Sequence, residues 1–374
     1  MPSVRNVLVV GGGAAGYAAA IVFARDGAAV DLVEVKPDVT ALGSGITVQG
    51  NALRVLRQLG VWDEVAAAGY AFNTVGLRAP DGTLLVEMQD ARSGGPDLPA
   101  TVGMYRPALA RILAEAAAAA GAKLRYATTV DSLSQDGDGV DVTFSDGTSG
   151  GYDLVIGADG VRSQVRSLLG IELETKPTGM GIWRVFTSRP ASVTRTDLCY
   201  HGACYIAGYC PTGEDSLYAY LVEDVQDRTH LTPAERLAVM RELAAGYHGP
   251  WDDIRDRMTD PGTINYTRFE SHLLPPPWNR GRVVLIGDAV HTCPPTLAQG
   301  AAIALEDAVV LADVLLAADV IDQGAFDAFT ARRYDRAKTV VEASVQLGQW
   351  LLDGVEGDVP GLMGKVFGLV SQPA

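Results

Sequence analysis

Apolar and polar positions follow one another in blocks that predict alternating strands and helices along the chain. Val7–Val10 is a short β-branched run, typical of a buried strand, and the glycine-rich turn Gly11–Gly16 follows it. The next residues have a helix-like pattern that ends on Gly27, and Ala28–Val35 is predicted to form a second strand. This order predicts a βαβ unit, the repeating element of parallel sheets.

Longer blocks of helical and strand-like pattern come after the βαβ unit. Residues 51–65, with a break at Gly60, 106–121 and about 305–352 are predicted to be helical. Residues 71–100 and 175–275 show alternating patterns and turn signals, which predict the strands of a separate sheet. Because the two kinds of block are interleaved, we expect a discontinuous α/β domain with a second, β-rich domain inserted into it.

Composition and charge exclude several classes of protein. With 48% hydrophobic and 20% charged residues among 374, the chain can form a sizeable core. A net charge of −15 argues against a nucleic-acid partner, although backbone amides in a cleft can still hold a phosphate. The four cysteines have no common zinc-site spacing, so we predict reduced thiols and no metal site. Since the first apolar segment lacks a secretion-signal pattern, we expect a cytoplasmic protein without an integral membrane segment.

The first motif with chemical meaning is a Gly-x-Gly-x-x-Gly sequence formed by Gly11, Gly13 and Gly16. It stands between a predicted strand and a predicted helix, where the glycines permit a tight turn and a close approach of the backbone to a pyrophosphate. The amides at the start of the helix can then hold the phosphates. Glu34 ends the next strand, where a carboxylate can accept hydrogen bonds from ribose hydroxyls. Together these features predict a dinucleotide site.

Two further predicted strands also end in a carboxylate. In "DLVIGADGVRSQVR" the strand stops at Asp159-Gly160, and Asp159 either contacts a ligand or only caps the short helix that follows. In "VVLIGDAVHTCPPTLAQGAA" the strand stops at Gly287-Asp288, and a helix opens at Gln299-Gly300. The amides of that helix start can stabilise negative charge, or the segment is a plain strand-loop-helix connection. Ligands gather at the carboxyl ends of parallel strands, so we expect all three motifs to meet around one dinucleotide.

The order and context of these motifs resemble the FAD-dependent aromatic hydroxylases, the para-hydroxybenzoate hydroxylase-like class of single-component flavoprotein monooxygenases. The resemblance extends from Val7 to about Leu316. It implies a doubly wound, glutathione-reductase-like Rossmann domain that binds FAD, interleaved with a mixed β-sheet domain that binds the substrate. The FAD-binding domain is expected to comprise residues 1–70, 101–174 and 276–352, and the substrate-binding domain residues 71–100 and 175–275, with a C-terminal segment at 353–374.

The resemblance also assigns individual residues to the cofactors. Arg166 is implied to meet a phosphate of a passing nicotinamide cofactor, NADH or NADPH, together with the Asp-Gly motif. One departure concerns Leu297-Ala298-Gln299-Gly300, where many relatives carry Gly-Gly-Gln-Gly; the variant resembles members that act on small aromatic or N-heteroaromatic acids. The residues implied to contact FAD are Gly11, Gly13, Gly16, Glu34, Thr47, Arg106, Asp159, Gly160, Gly287, Asp288, Pro295, Gln299 and Gly300.

The chemistry implied by the resemblance is hydroxylation of a small aromatic or N-heteroaromatic substrate. The nicotinamide cofactor reduces FAD, and the reduced flavin reacts with dioxygen to give a C4a-hydroperoxide, whose distal oxygen is attacked by an electron-rich ring carbon. The protein has to exclude water from this site. A base that deprotonates a phenol would raise the electron density of the ring.

The substrate pocket is expected between the β-rich domain and the loop beside the flavin ring. Tyr209 and Tyr220 are candidates to bind or deprotonate a phenol, the alternative being that these rings pack between sheet and helices. Arg184 either pairs with a substrate carboxylate or has a structural role. Strand alternation puts Tyr218 and Tyr220 on one face, and Tyr205 and Tyr209 share a face if their strand is regular.

Two other functions use the same fold and stay open at this point. One is a non-oxygenating flavoprotein oxidoreductase, and the other is an FAD-carrying partner protein that is not an enzyme. A flavin-dependent halogenase is disfavoured because its Trp-x-Trp-x-Ile-Pro signature is absent and Trp183 stands alone in "GIWRVF". The expected partners of the chain are a small aromatic substrate and dioxygen, and we expect a monomer or a homodimer.

Overall fold

The computed structural model describes residues 4–39, 45–137 and 139–374, so residues 1–3 and 40–44 of the predicted 1–70 segment lie outside the description. The strands, in chain order, are β1 (Asn6–Val10), β2 (Ala29–Val33), β3 (Gly45–Gln49), β4 (Tyr70–Phe72), β5 (Thr74–Arg78), β6 (Leu84–Gln89), β7 (Thr101–Tyr105), β8 (Lys123–Arg125), β9 (Val130–Gln135), β10 (Val140–Phe144), β11 (Ser149–Tyr152), β12 (Leu154–Gly157), β13 (Lys176–Ser188), β14 (Thr196–Tyr200), β15 (Ile206–Pro211), β16 (Ser216–Asp224), β17 (Ile264–Leu273), β18 (Asn279–Arg280), β19 (Val283–Leu285) and β20 (His291–Thr292). The helices are α1 (Ala14–Arg25), α2 (Gly50–Gln58), α3 (Trp62–Ala68), α4 (Arg106–Ala119), α5 (Gln164–Leu168), α6 (Pro233–Ala244), α7 (Pro250–Arg257), α8 (Gly300–Ala317), α9 (Gln323–Asp353) and α10 (Val359–Ser371).

The predicted βαβ unit lies in a six-stranded sheet with the order β18-β19-β12-β1-β2-β8. Neighbouring strands pair in parallel, apart from β18 and β19, which are antiparallel. Val7, Leu8 and Val9 of β1 are fully buried, as expected for a central parallel strand that is covered on both faces. Because β1, β2, β12 and β19 run in the same direction, their carboxyl ends lie along one edge of the sheet, and the predicted motifs follow three of them.

A second, eight-stranded sheet has the order β20-β17-β13-β16-β15-β14-β5-β6. Its neighbours pair antiparallel except β14 and β5, which are parallel. Alternation along β13 divides the side chains between two faces. Trp183 and Val185 pack in a cluster with residues of α6 and α7, on what we call the outer face. Met180 and Ile182 pack in a cluster with residues at the end of α9, on the inner face.

The small sheet β3-β7-β4 lies against the inner face of the eight-stranded sheet. A Cβ atom on Gly45 of β3 would clash with the Tyr218 ring, and one on Gly103 of β7 would clash with Cys210. Glycine at these positions therefore lets the two sheets approach each other closely. A second small sheet, β11-β10-β9, is an antiparallel meander.

The helices agree with the predicted pattern in type but differ in their bounds. The block at 51–65 forms two helices, α2 and α3, because the chain turns at Gly60, whose φ is +65°. The long C-terminal block begins at Gly300, where the sequence predicts a helix start, and it divides into α8 and α9. Nowhere in the described part of the chain is a helix both long and apolar enough to cross a membrane. The predicted fold class, a doubly wound α/β domain interleaved with a mixed β-sheet domain, is confirmed.

Candidate functional site

The glycine turn between β1 and α1 is shaped by close packing at two positions and is open at a third. Gly11 has a φ of +108°, and a side chain there would clash with the backbone at Ala158. A Cβ atom on Gly16 would clash with the carbonyl group of Gly11. Gly13, in contrast, would meet nothing within 4 Å. The turn is therefore closely packed at Gly11 and Gly16. At Gly13 it leaves open space beside the helix start, where a pyrophosphate is expected.

Glu34 lies at the end of β2 with its carboxylate oriented by the backbone. One oxygen accepts a hydrogen bond from the Gly12 amide at 2.6 Å, and the other accepts one from the Lys36 amide at 2.9 Å. The side chain is only partly exposed. Carboxylates held in this way keep a fixed position beside the glycine turn, as recognition of a ribose requires.

Asp159 follows β12 and is bonded within its own segment. Its carboxylate accepts hydrogen bonds from the Ser163 hydroxyl and from the Val165 amide, the latter at 3.0 Å. Burial raises the pKa of Asp159, and these hydrogen bonds act in the opposite direction. The N-cap of α5 is Ser163, and Asp159 accepts from a second amide of the same helix start. A contact of Asp159 with FAD stays a prediction. The adjacent Gly160 has a φ of +84° and open space around its missing side chain.

The Gly287–Ala289 segment is a single 3-10 turn after β19, and we call it the Gly-Asp turn. Burial raises the pKa of Asp288, whereas the neighbouring His291 and Arg106 act to lower it. Within residues 4–39, 45–137 and 139–374, neither the Asp288 carboxylate nor the Arg106 guanidinium has a hydrogen-bond or ion-pair partner. A half-buried acceptor and a nearby cation without partners are suited to bind a ligand with hydroxyl and phosphate groups.

The loop before α8 contains a left-handed residue that is not glycine. A 3-10 turn, Pro295–Leu297, is followed by Ala298 with a φ of +52°, and α8 then begins at Gly300. Pro295 is exposed, and Gly300 would meet nothing within 4 Å if it carried a side chain. The backbone amides at this helix start are therefore accessible, as is needed to stabilise negative charge.

The Gln299 side chain is turned away from this opening into the protein. It is 1% exposed, it accepts a hydrogen bond from the side-chain nitrogen of Asn51 at 2.9 Å, and it contacts Gln49. Asn51 in turn donates to Glu306 at 3.2 Å. Any contact of Gln299 with the flavin would therefore come from its backbone.

A buried network of charged side chains joins α8, α9 and the Gly-Asp turn. The sequence patterns did not predict this network. Arg333 donates to Asp307 at 2.7 Å and to Glu306 at 3.1 Å, and Arg336 donates to Glu306 at 2.6 Å. Asp307 also accepts from the Gly287 amide. The available signal was the pair Glu306-Asp307 within an otherwise apolar helix, since buried carboxylates require cationic partners.

The inner face of the eight-stranded sheet places Tyr218, Tyr220 and Arg184 together. The two tyrosine rings lie 5.1 Å apart, which confirms that they share a face. Arg184 is directly opposite Tyr220 on the neighbouring strand and donates to the Thr267 hydroxyl. In the described part of the chain, Arg184 has no carboxylate partner and the Tyr220 hydroxyl has no hydrogen-bond partner. Burial raises the pKa of Tyr220 well above its ordinary value, so this phenol is a donor and not a base near neutral pH.

Thr47 lies on β3 next to this group. Burial raises the pKa of Cys210 to about 11, and the side chain of Thr47 acts in the opposite direction, so the two side chains are close neighbours. Thr47 is partly exposed. It thus lies between the small sheet and the inner face, on the side where the flavin ring is expected.

Tyr209 requires a correction, because the structure places it on the outer face of the sheet. Its ring is 2% exposed, packs at an angle to Trp251 of α7, and its hydroxyl donates to Asp197 at 2.8 Å. Tyr205 precedes β15 and packs with the inner-face cluster, so the two tyrosines do not share a face. Tyr209 therefore has a packing role and is separated from the inner face by the sheet itself.

Arg166 also differs from its prediction. The side chain is 6% exposed, and it donates to the Ala289 carbonyl at 2.7 Å and to the Val161 carbonyl at 2.9 Å. It joins the segment after β12 to the Gly-Asp turn. A buried guanidinium in this position is not accessible to the phosphate of a passing cofactor, which is a correction to the predicted role.

Comparisons with known proteins agree with a cofactor site at the carboxyl edge of the six-stranded sheet. A family model described as an FAD binding domain matches residues 5–344. The 6-hydroxynicotinate 3-monooxygenase of Pseudomonas fluorescens is 31% identical over 365 residues, which cover 91% of this chain and 90% of that protein. The solved tetrameric form of 2-methyl-3-hydroxypyridine-5-carboxylic acid oxygenase has a TM-score of 0.79 and 26% identity, with 94% of this chain and 91% of that chain covered. HpxO of Klebsiella pneumoniae, complexed with FAD and uric acid, has the same fold, with a TM-score of 0.85, 22% identity, and 99% and 97% of the two chains covered.

The chain therefore belongs to the FAD-binding family, as an FAD-dependent monooxygenase of the aromatic hydroxylase type. The glycine turn, the unpartnered Asp288 and the open helix start at Gly300 fit such a cofactor. The prediction of a monomer or homodimer stays a prediction.

Proposed function

We propose that this monooxygenase hydroxylates a small aromatic or N-heteroaromatic acid, with NADH or NADPH as electron donor and dioxygen as oxidant. The observation that carries the proposal is Arg184, a cation on the inner face of the sheet that has no carboxylate partner among the described residues. A carboxylate of the substrate would complete its hydrogen bonding. The names of two relatives, a hydroxynicotinate monooxygenase and a pyridine-carboxylic acid oxygenase, are consistent with such a substrate.

The proposed FAD site extends along the carboxyl edge of the six-stranded sheet. Gly11, Gly13 and Gly16 would hold the pyrophosphate, and Glu34 would accept hydrogen bonds from the adenosine ribose. Asp288 would accept from the hydroxyls of the ribityl chain. Arg106, Gly160, Pro295, Gln299, Gly300 and Thr47 remain proposed contacts of the cofactor. FAD supplies, when bound, the activation of dioxygen that amino-acid side chains lack.

The chain's own residues would orient the substrate and control its protons. Arg184 would hold the substrate carboxylate, and Tyr220, protonated because burial raises its pKa, would donate a hydrogen bond to a ring oxygen or nitrogen. Tyr218 packs beside Tyr220 and limits the space around that donor. The apolar side chains clustered on the inner face would help to exclude water from the substrate pocket.

The test is a panel of hydroxylated benzoates and pyridine-carboxylic acids, each paired with an analogue that lacks the carboxylate. We expect the best acid to accelerate oxidation of the nicotinamide cofactor, with oxygen uptake that matches hydroxylated product. R184M should raise KM for the acid by about 10-fold to 100-fold and leave the analogue unchanged, because a charged hydrogen bond is lost. R111M removes an exposed arginine of α4 and is the matched control. Equal effects of R184M on acid and analogue would contradict the proposal.

A further inference from the structure

His272 is the penultimate residue of β17, beside the Gly-Asp turn, and no sequence motif points to it. Its side chain is 5% exposed. The Nε2 atom lies 2.9 Å from the backbone carbonyl oxygen of Asp288, and the Nδ1 atom lies 2.8 Å from the hydroxyl oxygen of Thr175. Both ring nitrogens therefore have a partner, one of them in the turn that carries the proposed ribityl ligand.

The partners of His272 determine the position of its proton. A carbonyl oxygen can only accept, so Nε2 carries the hydrogen and donates to Asp288. Nδ1 of the neutral ring then accepts from the Thr175 hydroxyl. Burial lowers the pKa of His272 to about 4, the bond to Asp288 opposes this shift, and the neighbouring Arg166 and His291 act in the same direction as burial. The ring is consequently neutral, with a fixed tautomer, near neutral pH.

Three successive residues of the Gly-Asp turn are each held by a side chain from a different element. Asp307 of α8 accepts from the Gly287 amide at 2.9 Å, and Arg166 of α5 donates to the Ala289 carbonyl at 2.7 Å. His272 holds the carbonyl between them. A short 3-10 turn has few hydrogen bonds of its own, so these three side chains hold the backbone from which the Asp288 side chain extends.

His272 differs from the other two because it belongs to the eight-stranded sheet. The same strand carries Thr267, which accepts the hydrogen bond of Arg184. Asp307 and Arg166 lie on helices next to the six-stranded sheet. His272 thus links the sheet that faces the substrate to the turn that faces the flavin.

We propose that His272 is a positioning residue for the flavin. By donating a hydrogen bond to the Asp288 carbonyl, His272 holds the Asp288 carboxylate against the ribityl chain. The inference rests on the proposed FAD site at Asp288. It assigns no proton transfer to His272, since the ring contacts neither substrate nor the reacting atoms.

The test compares two substitutions that place an amide nitrogen differently. In H272Q the side-chain amide reaches the position of Nε2 and retains the donor, whereas in H272N it reaches only the position of Nδ1. Titration of apoprotein with FAD, followed by flavin fluorescence, should give a Kd about 10-fold higher for H272N and within about 3-fold of the wild type for H272Q. At saturating FAD, the visible circular dichroism of the bound flavin should change in H272N and be restored in H272Q.

The outcomes separate this inference from the function on which it rests. If the wild-type protein takes up no FAD, the proposed cofactor site is wrong. If it binds FAD and H272N binds FAD equally tightly with the same visible dichroism, the role of His272 is overturned.

A measurement on the unsubstituted holoenzyme covers the case in which H272N does not fold. Histidine-selective ¹⁵N NMR should show a ring in the Nε2–H form that does not titrate between about pH 5.5 and 8. Its absence from the spectrum of H272Q assigns this signal to His272 and distinguishes it from His291, whose Nε2 also has an acceptor, the Asp307 carboxylate. T175V should keep this tautomer and weaken FAD binding by about 3-fold, because only the bond to Nδ1 is lost. An Nδ1–H tautomer, or a ring that titrates near its ordinary pKa, would overturn the proposal.

Discussion

The amide of Gly287 donates a hydrogen bond of 2.9 Å to the carboxylate of Asp307, and this contact joins the Gly-Asp turn to helix α8. The same carboxylate oxygen lies 2.6 Å from Nε2 of His291, and the other oxygen accepts from Arg333 at 2.7 Å. Burial alone would raise the pKa of Asp307, but His291 and Arg333 lower it, so the group stays ionised in the interior. The backbone of the proposed flavin site is therefore built on a buried charge.

D307N should be strongly destabilising, because it removes the negative charge opposite a fully buried arginine. We expect the free energy of unfolding to fall by about 3–5 kcal/mol, as is usual when one member of a buried ion pair is lost. Urea denaturation followed by tryptophan fluorescence measures this change. D313N, at a half-exposed position of the same helix, should change stability by less than about 1 kcal/mol. Similar losses for the two variants would show that the buried pair contributes little.

Loss of the hydroxyl group should lower stability at Tyr209 and catalytic activity at Tyr220. Y209F removes a buried donor to Asp197 and should lower the free energy of unfolding by about 1–3 kcal/mol, with little effect on turnover. Y220F removes a hydroxyl without a described partner, so it should leave stability unchanged and lower kcat/KM by about 10-fold. Urea denaturation and steady-state kinetics on both variants check the pair. A kinetic defect confined to Y209F would reverse the assignment.

The lowered pKa of His272 predicts a dependence of stability on pH. The folded protein keeps the ring neutral down to about pH 4, whereas the unfolded chain takes up a proton near the ordinary value of about 6.5. The folded state therefore binds fewer protons between these values, and its stability declines as the pH falls through that window, by at most about 1.4 kcal/mol per pH unit for one proton.

Other groups titrate below pH 6, so the measurement is a difference between two proteins. Urea denaturation at saturating FAD, from about pH 7.5 to 4.5, should show a steeper decline for the wild type than for H272Q, which has no titrating group at this position. Parallel curves for the two proteins would mean that His272 takes up its proton equally in both states.

Sequence reasoning was most successful where a backbone requirement dictates the residue type. The turn at Gly11 needs a positive φ and has no room for a side chain, and β1 is buried on both faces, so both leave a local signature. The fold class follows from the order of such elements. Positions such as Ala298 show the limit, because alanine takes a left-handed conformation there without any sign in the sequence.

The direction of side chains was the main source of error. A period of two predicts that Tyr218 and Tyr220 share a face of the sheet, but it does not show which face is turned toward the expected flavin ring. Tyr209 was predicted on the inner face and lies on the outer face. The partners of Arg166 are backbone carbonyls brought in by the tertiary fold. His272 likewise owes its importance to the packing of β17 on the Gly-Asp turn, which no local pattern encodes.

In the proposed reaction the chain uses bound FAD to insert one atom of dioxygen into an aromatic acid. The most direct measurement is mass spectrometry of the product formed under ¹⁸O₂ by the purified holoenzyme with its best substrate and NADH or NADPH. We expect one ¹⁸O atom in each product molecule from ¹⁸O₂ and none when the label is supplied as H₂¹⁸O. Oxidation of the aromatic acid without ¹⁸O in the product would contradict this reaction. So would conversion of the acid that continues anaerobically with an artificial electron acceptor.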